Sequence, residues 1–353
     1  MKEIHKASRG TLLSTILAGS WRASSPLSLN ISEQELDEVT PLLYGSGGAA
    51  LGWRQVRQTP LSSTSSGQVL HQAYRLQILQ SAIHEEKIKT VFRLFRESSI
   101  EAILVKGWAA ANLYPEKALR PYGDIDLCVR PSDYKSATNL LASPEATGCW
   151  VDLHKGFSEI KERSVEQLFE RSQLLALDGE QVRVLSNEDH LALLSIHLLK
   201  HGAWRPLWLC DIGAALEGLS PDFNWDTCLG VDKKRSGWIA CSVKLAEYLL
   251  GSKATNQPES IRKQIVPRWL IQNVLRQWES PFAINQPPMN HPMTMTNQLR
   301  HPTGLWKAFR VRWPNPILAT VSVNGKFNRT PRWPYQLGNC FLRLGQFLSH
   351  SSD

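Results

Sequence analysis

Between the turn residues Pro121 and Gly123 and the apolar run Leu127-Cys128-Val129 lies Asp124-Ile125-Asp126. No other stretch restricts the fold as much. An extended segment alternates its side chains between two faces, so residues two apart project together. The spacing predicts a strand that turns Ile125 into the packing and presents both carboxylates on one side. Carboxylates that close raise each other's pKa unless a cation lies between them. A hard divalent ion such as Mg²⁺ meets that need, because it takes oxygen ligands and keeps positions open for phosphates.

Flanking segments extend the pattern. Ile103-Leu104-Val105 reads as an apolar strand that ends in Lys106-Gly107 and leads into a helix start at Trp108-Ala109-Ala110-Ala111. A strand–Gly–helix turn offers backbone N–H groups to an anion, and Lys106 adds a point charge for phosphate. Downstream, Trp150-Val151-Asp152-Leu153-His154 alternates again, so Asp152 is expected on the face of the pair, with His154 beside it. Arg120, four residues before Asp124, is a candidate for a bidentate phosphate contact or for pairing with one of these carboxylates.

These residues resemble the nucleotidyltransferase superfamily with the polymerase-beta-type fold, and within it the bacterial uncharacterised nucleotidyltransferase branch. The likeness rests on Lys106-Gly107, Leu113-Tyr114-Pro115, Arg120, Asp124-Ile125-Asp126-Leu127 and Val151-Asp152-Leu153-His154. It continues through Glu188-Asp189-His190-Leu191, His197, His201 and Leu207-Trp208-Leu209-Cys210-Asp211. The resemblance implies an α/β (α+β) core with a small mixed sheet, flanked by N- and C-terminal helical segments. It implies transfer of a nucleoside monophosphate from an NTP such as ATP to a hydroxyl or phosphate acceptor, with release of pyrophosphate. By the same resemblance Asp124 and Asp126 hold two Mg²⁺ ions (Mn²⁺ being the substitute), and Asp152 binds the catalytic ion and draws off the acceptor's proton. Lys106, Gly107 and Arg120 would then bind the nucleotide. The superfamily's usual turn is Gly followed by Gly or Ser; here Trp108 follows Gly107, so Lys106, Arg120 or backbone amides would take over that phosphate contact. The acceptor is left open among a small molecule, a peptide and a tRNA.

Length and composition fit such an enzyme. A chain of 353 residues has room for about two domains. No window of 18 uninterrupted apolar residues marks a transmembrane span. Thr11–Gly19 reads as an amphipathic first helix rather than a signal peptide, because Glu3 intrudes and the apolar run is short. The six cysteines show no C-x-x-C spacing and several lie in apolar runs, so buried thiols in a reducing cytoplasm are expected.

The charge is unevenly placed. Residues 260–353 hold 12 Lys/Arg against Glu279 and Asp353, a balance of +10, while residues 1–259 hold 28 basic and 30 acidic residues, a balance of −2. Trp269, Trp278, Trp306, Trp313 and Trp333 are interleaved with the basic excess. That mixture suits RNA or another anionic partner, cations for phosphate and aromatics for stacking.

The expected organisation is an N-terminal helical region (1–98), a nucleotidyltransferase core (99–185), a helical domain (186–280) and a basic, Trp-containing C-terminal region (281–353). The spacing predicts helices over 67–98, 132–142, 188–201, 235–250 and 261–278, strands over 100–106, 124–130 and 181–185, a strand or hairpin over 150–160, and a loop over 280–304. Ser186 through Asp189 reads as a capping box with Asp in the Glu position. His190, His197 and His201 share one helix. His197 and His201 form H-x-x-x-H, but Leu198 replaces the Glu that a zincin requires. The three histidines are expected to pack within a helical bundle or else to line the nucleotide or acceptor pocket; His154, His197, His201 and Asp211 are the candidates for supporting the site from behind, Asp211 by orienting one of the histidines or Arg205. Two rivals are a fold that binds nucleotide or partner without catalysis and a metal hydrolase built on His197, His201 and Asp211.

Overall fold

Ile125 and Asp126 open a strand, and Asp124 stands just ahead of it. In the computed structural model, which describes residues 8–23, 29–280 and 313–350, β2 (Ile125–Val129) is the second strand of a five-stranded mixed sheet ordered β3-β2-β1-β5-β4. The others are β1 (Ala102–Val105), β3 (Val151–His154), β4 (Gln173–Leu177) and β5 (Glu180–Val184). β1 runs antiparallel to β2 with Val105 opposite Asp126, while β2 and β3 run parallel with Asp126 opposite Asp152. The predicted mixed sheet is therefore present, with β1 at its centre and the acid-bearing strands β2 and β3 together on one side of it.

Fifteen described helices surround the sheet. Before it come α1 (Arg9–Leu17), α2 (Glu33–Ser46), α3 (Ala49–Val56) and α4 (Ser65–Glu97). Between strands lie α5 (Gly107–Ala111), α6 (Tyr134–Leu141) and α7 (Val165–Arg171). After it come α8 (Asn187–Lys200), α9 (Pro206–Glu217), α10 (Trp225–Leu229), α11 (Lys233–Leu250), α12 (Glu259–Arg262), α13 (Arg268–Trp278), α14 (Pro316–Ser322) and α15 (Trp333–His350).

Alternation divides the core in two. Ile103, Val105 and Cys128 point to a large cluster built with α1, α2, α3, α8, α9 and α11. Ala102, Leu104, Ile125, Leu127 and Val129 point the other way, to a smaller cluster with Ile88, Val91 and Phe95 of α4 and with Trp108. Asp126 shares its face with Cys128 and so looks toward α8 and α9. Helix α1 packs on α11 and α13, so the N-terminal helices and those after the sheet bury one continuous core.

Several boundaries differ from the sequence reading. The predicted helix over 261–278 is two, because Pro267 caps the second and disfavours helical backbone at the residue before it. The segment 150–160 is strand only to His154, followed by a short turn of helix at Ser158–Ile160. Strand β4 was not anticipated. Only half of the capping box forms: Ser186 accepts from Asp189 N–H at 3.2 Å, but the Asp189 carboxylate pairs with Arg163 and Arg171. Most of the predicted 280–304 loop lies outside the described residues. Four of the six free cysteines are buried and two are half-buried. No described helix is long and apolar enough to cross a membrane.

Candidate active site

The parallel register of β2 and β3 builds the site. Asp126 and Asp152 are register partners, and residues opposite each other in a sheet present their side chains on one face. His154, two residues along β3, returns to that face. Its Nε2 lies 3.3 Å from Asp126 Oδ1 and 3.3 Å from Asp152 Oδ2, so the imidazole bridges the two carboxylates. Asp126, Asp152 and His154 each offer a ligand atom within 4.8 Å of the other two. Two carboxylates and an imidazole make a donor set suited to a divalent cation. Asp124 stands outside this group: it is exposed, just ahead of β2, where the chain leaves the Pro121–Gly123 turn.

Asp126 is buried and Asp152 largely exposed. Burial pushes the Asp126 carboxyl up, but hydrogen bonds and charge from His154 and Lys106 outweigh it and hold the group below the ordinary carboxylate range. Lys106 Nζ donates to Asp126 Oδ1 at 3.0 Å. The turn that positions this amine is strained: Lys106 has φ +53° and Gly107 φ +23°. A non-glycine residue at positive φ persists only where its surroundings fix it, and such residues cluster at functional sites. A Cβ at Gly107 would stand 3.4 Å from the Asp124 carbonyl, so the turn lies directly against the acidic strand.

Trp108 points away from this turn. It is 1% exposed in the smaller core, donates its indole N–H to Glu85 at 3.0 Å and lies under the Lys117 ammonium. Its bulk is therefore on the far side of the sheet from Asp126.

A cleft of about 310 Å³ lies between α8–α9 and the end of the sheet where β1 finishes and β2 begins. Its wall holds Lys106, Gly107, Arg120, Asp124 and Asp126 on one side and His197, Arg205 and Trp208 on the other, with Gln77 and Gln80 of α4 at its rim. Arg120 is buried and fixed: Nε and Nη2 bond to the Asp211 carboxylate and Nη1 to the Pro121 carbonyl. It pairs with none of the three predicted metal ligands. Asp211 also accepts from the Tyr114 hydroxyl at 2.8 Å. Asp211 thus anchors Arg120 and Tyr114 rather than a histidine or Arg205, which corrects the role expected of it.

His197 faces the cleft, and its Nδ1 lies 3.9 Å from Glu159 Oε1, beyond hydrogen-bond reach. Burial pushes the Glu159 carboxyl up, but His197 and the Lys200 ammonium at 3.1 Å carry it far below the ordinary range. The His197, His201 and Trp208 rings pack together at centroid distances of 4.3, 4.9 and 5.2 Å. Among the described residues no metal-ligand group combines His197 and His201 with Asp211, so the hydrolase arrangement is not assembled.

A family described as uncharacterised nucleotidyltransferase matches residues 32–148 and 142–238, more than half of the sequence. The chain belongs to this family. No curated protein and no solved structure matches it. The matched region runs from α2 to the start of α11 and takes in every strand and every residue of the cleft. Membership agrees with the mixed α+β fold and implies an NTP substrate.

The sequence alone does not mark Arg205 and Trp208 as cleft residues, although Leu207-Trp208 belongs to the resemblance and Arg205 enters only as a partner for Asp211. The available signal was proximity to the His197–His201 helix across a short turn. Gln77 and Gln80 carried none, since uncharged amides on a long helix read as solvated. Of the C-terminal tryptophans, Trp278 is buried and donates to the Ala203 carbonyl, while Trp269 stacks on Phe327 and takes the Arg332 guanidinium at 4.7 Å. These two serve packing. Trp333 is exposed, and Trp306 lies outside the described residues.

Proposed function

We propose that this protein is a divalent-metal-dependent nucleotidyltransferase that moves a nucleoside monophosphate from an NTP to a hydroxyl acceptor and releases pyrophosphate. The observation that carries this reading is the in-register pairing of Asp126 with Asp152 beside a cation-lined cleft. Asp126, Asp152 and His154 fit one Mg²⁺ or Mn²⁺, and Asp124 joins Asp126 in holding a second. The ions, when bound, neutralise charge on the attacking and leaving oxygens. Lys106 and Arg205 line the cleft for the triphosphate, and Trp208 and His197 offer ring faces to the base. Arg120, already committed to Asp211, shapes the wall and contributes field rather than direct contacts. Asp152, the most exposed of the group, is placed to accept the acceptor's proton.

The test is pyrophosphate release from each of the four common NTPs with and without Mg²⁺. Release that requires the metal and disappears in Asp126→Asn supports the reading. Calorimetry showing no Mg²⁺-dependent binding of any NTP would sink it.

A further inference from the structure

The carboxylate row separates two depressions of opposite character. On one side is the cleft with Lys106, Arg120 and Arg205. On the other, a groove of about 590 Å³ runs from Asp124 and Asp152 past Trp150 to Ser143 and Thr147 at the end of α6, and none of its lining residues is Lys, Arg or His. Asp124 borders both. Helix α6 ends at this groove, so its negative dipole end adds to the field of the two aspartates.

Trp150 stands at the groove with 77% of its surface exposed, more than any other described tryptophan. Its backbone is pinned, since its carbonyl accepts from Ile125 N–H at 2.9 Å. The indoles of Trp21, Trp108, Trp238, Trp269 and Trp278 all donate hydrogen bonds within the fold. Trp150 has no such bond among the described residues and no ring partner. A large flat apolar surface left in water beside reactive carboxylates, on a fixed backbone, is suited to a ligand's ring face.

We infer that this groove is the acceptor subsite and that it takes a hydroxyl-bearing ring compound without phosphate or carboxylate groups, seated on Trp150. The inference rests on the nucleotidyltransferase reading and narrows its acceptor. Beyond the ions that the aspartates would hold, the groove has no cationic side chain to receive a phosphate or carboxylate, and the α6 terminus opposes one, which sets RNA against the groove. In the transfer, the acceptor oxygen forms a bond to the α-phosphorus while the bond from that phosphorus to the β-phosphate oxygen breaks. The hydroxyl proton passes to Asp152, and the bond electrons leave with pyrophosphate. With the nucleotide in one depression and the acceptor in the other, the attacking oxygen would reach the α-phosphorus on the side opposite the departing pyrophosphate, as in-line displacement requires.

Two measurements on the full chain separate this inference from the reading beneath it. Calorimetry with Mg²⁺ and NTP is run on wild type, Trp150→Ala and Trp150→Phe. Label transfer from α-³²P-NTP is then measured into three probes: cell-extract small molecules not retained by an anion exchanger, those retained by it, and total tRNA. The expected result is equal NTP binding by all three proteins and label in the unretained small molecules. In that fraction Trp150→Ala should need about tenfold more acceptor for half-maximal transfer, and Trp150→Phe should stay within about threefold of wild type. Label in tRNA or in the retained fraction, or equal acceptor dependence in Trp150→Ala, overturns the groove assignment while leaving the nucleotidyltransferase reading intact. Absence of NTP binding to wild type overturns both.

Discussion

The Lys106 ammonium lies 3.0 Å from Asp126 Oδ1, on a backbone held at positive φ. Residue 106 follows the strand whose last residue, Val105, is Asp126's register partner. The amine therefore reaches the carboxylate row and the cleft at once, and can pass from balancing Asp126 to binding phosphate oxygens. Lys106→Met keeps the length of the side chain and removes the charge. It should weaken Mg²⁺-dependent NTP binding by about tenfold to a hundredfold, since a charge-assisted contact contributes roughly 1.5–3 kcal/mol. Titration calorimetry reads this directly. An unchanged dissociation constant would remove Lys106 from the nucleotide site.

Arg120 and Asp211 form a buried pair in which the aspartate is fully enclosed and also accepts from Tyr114. Removing one member leaves the other charged and unpaired in the interior. Asp211→Ala should lower unfolding stability by roughly 3–5 kcal/mol, and the midpoint of urea denaturation should fall accordingly. Arg120→Met combined with Asp211→Leu should recover much of the loss, because the uncompensated charge is gone. Equal damage in the single and double variants would show that the pair acts through the shape of the wall.

Trp108 occupies the position where the resemblance implies Gly or Ser, yet its ring is in the smaller core. Trp108→Ser would therefore empty a buried volume and remove the indole donor, leaving the Glu85 carboxylate to the Lys117 ammonium. The expected loss is about 3–5 kcal/mol of stability, seen in thermal or urea melts. Nucleotide affinity should not improve.

The site was readable where local periodicity decides geometry. Alternation put Asp124 and Asp126 on one face with Asp152 expected to join them; Asp126 and Asp152 meet through a parallel register that no local pattern shows, while Asp124 stands just ahead of the strand. Alternation also placed His154 with Asp152, though not as a bridge between two carboxylates. What escaped depended on contacts distant in sequence. Asp211 meets Arg120 across 91 positions, and a motif can show that both residues are needed without showing that they bind each other. Strand β4 escaped for a local reason. Leu174-Leu175-Ala176-Leu177 does not alternate, and Leu174 is half exposed on an edge strand. The turn signal was present: Asp178-Gly179, both at positive φ, closes a two-residue hairpin with Leu177 opposite Glu180. Asp189 shows how tertiary contacts override a local rule, since Arg163 and Arg171 claim the carboxylate that a capping box would use.

His190 supplies a pH test away from the metal-binding candidates. It lies behind the cleft on α8, buried, with Nε2 lacking a hydrogen-bond partner among the described residues. Burial lowers its pKa from 6.5 to about 4; the Asp211 charge works against that shift and Arg120 adds to it. A histidine with a depressed folded-state pKa is held neutral, so the unfolded chain binds the extra proton between pH 6.5 and 4. Stability is then fully present above pH 6.5 and falls as the pH drops through that window, by at most roughly 3 kcal/mol from this group. Urea melts at pH 7.5 and pH 5 should show the loss. His190→Gln, which does not titrate, should flatten the dependence across this window even where it lowers stability at every pH. If the variant retains the full slope, other groups carry the acid sensitivity and His190 is not held neutral by the fold.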